Sequence, residues 1–250
     1  MPTLGVIPAR LASTRLPHKP LQLLGGQPLI VRVIERAAEL GALDRVVVAT
    51  DAEAVRDAVV AAGHEAVLTA AAHESGTDRV AEVAARRAFA GFDVIVNVQG
   101  DEPFLDAEAL AGAIARVRDA GDDVGTAAAP LEAAAAADPA RVKVVCDARG
   151  RALYFSRAPI PYWRDGGAPP EGTYWQHVGL YAFRREALAR WTALGPSALE
   201  RAERLEQLRA LEHGMTIGVA RLAGPVAPGI DTPEDLRRAE ARWTVTARGT

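Results

Sequence analysis

The stretch RVVVATDAEAVRDAVVAAGHEAVLT, Arg45 to Thr69, decides the fold. RVVVAT is an almost unbroken apolar run and reads as a buried strand. EAVRDAVVAAG then reads as a helix closed by Gly63, and EAVLT as a second, short strand. The alternation continues on both sides. Upstream, LGVIPA is a strand, and PLIVRVIERAAEL has apolar residues at 29, 30, 33, 34, 37 and 38, a helical spacing with Gly41 placed as its cap. Downstream come the helix DRVAEVAARRAFA, the strand DVIVNV, the helix AEALAGAIARVRDA and the extended piece DVGTAAAPL. Near-continuous apolar strands separated by helices predict an α/β fold with a mostly parallel central sheet, covered on both faces.

The rhythm changes after Leu131. AAAAAD is a short helix or surface segment, and RVKVVCD, RALYFSR and TYWQHVGLYAF read as strands, with DARG as a hairpin turn. RDGGAPPEG, 164–172, is the strongest loop signal. Helices return at REALARW and RAERLEQLRALEHG, followed by the strand TIGVAR and a helix opening at DTPEDLRRAEARW. The reading is one domain over 1–250, with 131–195 as an antiparallel excursion from its core. No internal period of about 20 to 50 residues suggests a solenoid.

The 250 residues are 49% hydrophobic and 24% charged, enough for a sizeable core. A net charge of -3 makes the chain a poor general binder of nucleic acid, so an anion must be met by a local cluster. The one cysteine, Cys146, excludes an internal disulfide and reads as a small buried hydrophobe. There is no charged-then-apolar leader and no apolar run of about 18 residues. The expectation is a soluble, cytoplasmic protein without a membrane partner.

Ligands of open α/β sheets bind beyond the carboxyl ends of the strands. The first such segment, IPARLASTRLPHKPL, sets Arg10, Arg15 and Lys19 on a loop with no acid among them. Walker A and G-x-G-x-x-G patterns are absent, so this is a different kind of phosphate loop, or a solvated basic one. QGDEP places Asp101 directly after a buried strand, where a carboxylate suits Mg²⁺ and Gly-Asp also suits a turn. In GIDTPEDL, Thr232 at the N-cap and Pro233 at N1 account for Glu234 and Asp235, and Asp231 is left over. Ser75, Gly76, Thr77 and Asp78 fit both helix capping and contacts to a base. Alternation puts His177, Gly179, Tyr181 and Phe183 on one strand face. LEQL buries Leu205 and Leu208 on one helical face and turns Glu206 and Gln207 toward solvent. No Ser/His/Asp triad and no zinc spacing occurs.

Taken together, IPARLASTRLPHKPL, VATD, HESGTDRVAEV, VNVQGDEP, VKVV, LYFSRAPIP, HVGLYAF, LEQLRALEHG and GIDTPEDL run in order through nearly the whole chain. They resemble the 3-deoxy-manno-octulosonate cytidylyltransferase family. The resemblance implies a nucleotide-diphospho-sugar-transferase-like, Rossmann-like domain whose excursion helps form a homodimer. It implies an Mg²⁺-assisted reaction of CTP with 3-deoxy-manno-octulosonate (Kdo), giving CMP-Kdo and pyrophosphate for lipopolysaccharide. Arg15, Lys19 and Asp101 would be catalytic. Pro8, Ala9, Arg10, Arg15, Lys19, Ser75, Gly76, Thr77, Arg79 and Gln99 would bind CTP. Asp101 and Asp231 would hold the metal. Arg157, His177, Tyr181, Glu206 and Gln207 would line the sugar-acid pocket. Where this family's first loop usually has glycine, the chain has His18, between Pro17 and Lys19. A Cβ there restricts the backbone angles open to the loop.

Overall fold

The computed structural model describes residues 1–248, with side chains through Thr244. Within them the chain packs as two compact units: Pro2–Leu105 with the segment from Ala227 onward, and Asp106–Val226 with Met1.

In the first unit β1 (Thr3–Ala9) lies between β4 (Arg45–Thr50) and β6 (Val94–Asn97), parallel to both, and β5 (Ala66–Leu68) extends the sheet beyond β4. Val6 stands in register with Val47 on one side and Asn97 on the other. The strand–helix–strand reading of 45–69 is thus a parallel pair, β4 and β5, around α2 (Glu53–Ala61). Burial follows the apolar pattern: α1 (Leu29–Glu39) encloses Leu29, Ile30, Val33, Ile34 and Ala37. Each large aliphatic chain of that face contributes about 1.5–3 kcal/mol on burial. α3 (Gly76–Ala85) packs against β1. A two-strand ribbon, β2 (Leu23–Leu24) and β3 (Gln27–Pro28), precedes α1. The last helix, α8 (Pro233–Arg248), is docked on it: Glu240 accepts a hydrogen bond from the Gly25 N–H at 2.8 Å, and the Arg32 guanidinium stacks 4.5 Å over the Trp243 ring.

In the second unit β7 (Val124–Leu131) is central. β11 (Ile217–Arg221) runs parallel to it, and β10 (Tyr174–Arg184) runs antiparallel on its other side. β8 (Lys143–Cys146) joins β10 and pairs with β9 (Ala152–Ser156), so the predicted antiparallel excursion is present and DARG is its hairpin turn. α4 (Ala107–Arg118) covers β7, and α5 (Arg185–Ala193) follows β10. The β7–β10 register slips between Val178 and Ala182, a bulge that matters below.

Two expectations need correcting. Cys146 is half-buried rather than enclosed, because it ends β8 next to the turn. RAERLEQLRALEHG is not one helix. α6 (Ala198–Glu203) stops at Arg204, whose φ of 55° is left-handed, and α7 (Gln207–Glu212) starts afresh. The break turns Leu205 into the core, and Arg209 of α7 grips Glu200 of α6 at 2.7 and 2.8 Å.

Candidate active site

In the first unit the C-terminal ends of β1 and β6 approach closely. A Cβ on Gly100 would stand 2.8 Å from the Pro8 carbonyl oxygen, so only glycine lets QGDEP leave β6 at that point. The backbone then delivers Asp101 to a second segment: the Ile230 N–H donates to the Asp101 carbonyl at 2.9 Å, which pins GIDT alongside QGDEP. Thr232 and Asp235 form a reciprocal cap on α8 (Asp235 N–H to Thr232 Oγ1, 3.1 Å; Thr232 N–H to Asp235, 2.9 Å). Asp235 is thereby occupied, and Asp231 is the carboxylate left for other work.

Lys19 occupies the point where these segments meet. Its Nζ lies 2.7 Å from Asp101 Oδ2 and 2.9 Å from Asp231 Oδ1, and Arg15 Nη2 lies 3.0 Å from Asp231 Oδ2. Burial disfavours the Lys19 charge, but the two carboxylates outweigh it and its pKa is raised. Lys19 starts a single 3-10 turn, Lys19–Leu21, and the residue before it, His18, has φ 52° and ψ 34°. The expected restriction of the loop by His18 is not what the backbone shows: the residue takes up the left-handed conformation that glycine favours while carrying a Cβ. Arg10 contributes a buried Nη2 with no hydrogen-bond partner among the described residues, an unmet donor at the start of the basic loop. Sequence reasoning passed over Glu102, beside Asp101. Burial, with the Asp101 charge, pushes its carboxyl up to about 8.

The Ser75–Thr77 turn sits against β1, since a Cβ on Gly76 would lie 3.2 Å from Pro8 Cγ. Ser75 and Asp78 form a capping box on α3, with Ser75 Oγ accepting from the Asp78 N–H at 3.1 Å. Both readings of HESGTD thus meet at one place: the hydroxyl caps the helix, and the turn lies beside Pro8. Arg79 is wholly buried; its guanidinium donates to the Thr69 hydroxyl and faces Asp51 at 3.4 Å. It braces the ends of β4 and β5. Gln99 stays partly exposed where the chain leaves β6.

The second unit gathers the other predicted residues. The His177 and Tyr181 rings meet tilted at 5.3 Å, Phe155 meets the His177 ring edge-on at 5.0 Å, and Tyr181 lies 6.0 Å from Trp191. Burial lowers the His177 pKa to about 3, so its ring is neutral near pH 7, and burial together with Glu206 raises that of Tyr181. Glu206 and Gln207 do not point into solvent, because the break between α6 and α7 turns them inward. Gln207 is buried, and Glu206 Oε1 accepts a hydrogen bond from Trp191 Nε1 at 2.8 Å. Arg157 spends its guanidinium on backbone carbonyls, donating to Glu203 at 2.7 Å, Pro139 at 2.9 Å and Arg204 at 3.3 Å. The fully buried Lys143 donates to the Arg157 carbonyl at 2.6 Å and fixes that strand end.

The first unit therefore offers cations and a carboxylate pair, and the second a neutral, aromatic, hydrogen-bonding surface. The family model described as Cytidylyltransferase matches residues 4–217. A 3-deoxy-manno-octulosonate cytidylyltransferase of Gemmatimonas aurantiaca (strain DSM 14586 / JCM 11422 / NBRC 100505 / T-27) is 53% identical over 247 residues, 98% of this chain and 95% of that protein. This chain belongs to the 3-deoxy-manno-octulosonate cytidylyltransferase family. It is a nucleotidyltransferase. The structure of a CMP:2-keto-3-deoxy-manno-octonic acid synthetase complexed with CTP superposes with a TM-score of 0.90 at 40% identity, covering 100% of both chains. The 4-diphosphocytidyl-2C-methyl-D-erythritol synthase of Anaerococcus prevotii DSM 20548 shares the fold alone, with a TM-score of 0.61 at 11% identity over 97% of this chain and 99% of that one. Among the described residues, no helix is long and apolar enough to cross a membrane.

Proposed function

We propose that this enzyme transfers CMP from CTP to the anomeric hydroxyl of Kdo, releasing pyrophosphate and supplying activated Kdo for lipopolysaccharide in the cytoplasm. The observation that carries the reading is the convergence of Asp101 and Asp231 on Lys19, beside Arg15. The kinship with enzymes named for this sugar acid and for CTP supports it.

In the reaction the anomeric hydroxyl attacks the α-phosphorus in line with departing pyrophosphate, so the protein has to position groups and neutralise charge. Arg10, with its unmet donor, Arg15 and Lys19 meet the triphosphate, and their charge offsets what grows on pyrophosphate. The turn at Ser75–Thr77, with Pro8, Ala9 and Gln99, contacts the nucleoside. Arg79, in the first turn of α3, braces the ends of β4 and β5 behind it. His177, Tyr181, Glu206 and Gln207 hold the sugar acid, and Arg157, at the end of β9, ties that end to the carbonyls of Glu203 and Arg204 just before them. No side chain needs to act as a covalent nucleophile.

The carboxylate pair fits Mg²⁺. Asp101 and Asp231 are hard oxygen donors from two segments that already converge on one positive charge, and Mg²⁺ is commonly held by one or two carboxylates plus phosphate. Bound there, Mg²⁺ supplies Lewis-acid polarisation of phosphate oxygens and lowers the pKa of a coordinated hydroxyl. A homodimer formed through 131–195 completes the proposal, supported by the exposed apolar side chains Leu153 and Tyr162 in that segment.

A pyrophosphate-release assay with CTP, Mg²⁺ and a panel of sugar acids tests the assignment. Turnover with Kdo is expected. Activity with a sialate and none with Kdo overturns the substrate, and tight CTP binding without turnover of any sugar acid overturns the activity.

A further inference from the structure

Thr126 lies in β7, fully buried, as a hydroxyl within an otherwise apolar run. It faces the bulge in β10. Its Oγ1 is 2.7 Å from the Leu180 carbonyl oxygen, 3.1 Å from that of Val178 and 3.0 Å from His177 Nε2. A hydroxyl has one proton and two lone pairs, whereas a carbonyl oxygen can only accept. Two oxygens 2.7 Å apart need a proton between them, so the Thr126 proton is given to Leu180. Toward His177 the hydroxyl must then accept, and Nε2 must be the nitrogen that carries hydrogen. Among the described residues the only side-chain hydrogen bond of His177 is the one at Nε2, and the residue is only half-buried.

We propose that Thr126 is a positioning residue that fixes His177 in its Nε2–H tautomer, leaving Nδ1 as an acceptor for a hydroxyl group of the polyhydroxy acid. His177 thus reads a sugar hydroxyl and does not pair with the carboxylate. The same hydroxyl satisfies the carbonyl that the bulge releases from the ladder, so one side chain sets both the strand distortion and the ring's hydrogen-bonding polarity. The neutrality that burial imposes on the ring agrees with this, since a neutral imidazole has one donor and one acceptor.

The role at the sugar acid rests on the function proposed above; the tautomer does not. Long-range ¹H–¹⁵N spectra of the histidine-labelled protein, with His177→Gln assigning the signal, are expected to show Nε2 protonated and Nδ1 bare. Thr126→Val is expected to shift the tautomer and raise the KM for Kdo about tenfold with the KM for CTP unchanged, the effect of one lost hydrogen bond. Thr126→Ser restores both. An Nδ1–H tautomer in the parent protein overturns the proposal. So does a folded Thr126→Val protein with unchanged tautomer and KM. If Thr126→Val does not fold, the parent spectrum and Thr126→Ser decide. If the parent enzyme fails to turn over Kdo, the assigned function falls while the spectrum still judges the tautomer.

Discussion

Acid should destabilise this protein through His177, and the amount can be worked out. An unfolded chain protonates this residue near 6.5, while the native ring, packed between Phe155 and Tyr181, stays neutral to about 3. Between those values the unfolded state holds a proton that the native state lacks, so stability falls as pH falls. The slope is about 1.4 kcal/mol per pH unit, which gives about 2 kcal/mol between pH 6.5 and pH 5. The ring is partly exposed, and water reaching it reduces this to about 1–2 kcal/mol. His177→Gln removes the titration while keeping a donor for Thr126. Urea denaturation of parent and variant at pH 7.5, 6.5 and 5 isolates the effect, because other titrating groups are common to both and largely cancel. The parent should lose about 1–2 kcal/mol relative to the variant over the lower interval and only about 0.3 kcal/mol over the upper one. Stability curves that stay parallel down to pH 5 would refute the reasoning and place the folded pKa of His177 near its ordinary value.

Other outcomes follow from the same geometry. Lys19→Ala should lower kcat by about a hundredfold, with the melting temperature little changed; early melting with normal kinetics would make Lys19 structural. Asp101→Asn should cost at least as much, since an amide is a poor Mg²⁺ ligand, and full turnover at ordinary Mg²⁺ would remove Asp101 from the metal site. Trp191→Phe deletes the 2.8 Å bond to Glu206 but keeps an aromatic ring against Tyr181 and Phe183, so the KM for Kdo should rise several-fold while that for CTP holds. His18→Gly relieves a left-handed residue of about 1 kcal/mol of strain but loosens the unfolded chain. Calorimetry should find it between neutral and about 1 kcal/mol more stable, and a clear loss would show that the imidazole makes a stabilising contact.

The alternation of strands and helices was legible because parallel strands, buried on both faces, are written as apolar runs such as RVVVAT. The break at Arg204 was not, because nothing local distinguishes that arginine; its left-handed backbone is held by tertiary packing of Leu205 and by the Arg209–Glu200 pair. Capping logic singled out Asp231 correctly as the acid not needed by α8, yet no local rule could bring it to Asp101 from so far along the chain. Thr126 was overlooked although a signal existed. A lone hydroxyl in the buried run VGTAAAPL has to find a partner, and asking where its proton goes leads to His177.

The arginines carry the same lesson further. Sequence counts them alike, but their donors are spent differently. Arg157 gives its guanidinium to three backbone carbonyls, and Arg79 is sealed beside Thr69 and Asp51 with its Nε and Nη2 unmet among the described residues. Both are braces, and removing either should disturb local structure before it disturbs ligand contacts. Arg10 keeps a buried donor with no partner among the described residues, and Arg15, with its side chain 68% exposed, meets the Asp231 carboxylate at 3.0 Å. Arg10 is only half-buried, so an anion can reach its unmet donor, whereas the unmet Nε and Nη2 of Arg79 belong to a side chain with no exposed surface. Lys19 and Arg15 together balance Asp101 and Asp231, so the net positive charge that this loop offers a polyphosphate comes from Arg10. Binding of CTP should therefore fall more on loss of Arg10 than on loss of Arg79's charge, even though both lie in segments that resemble the family.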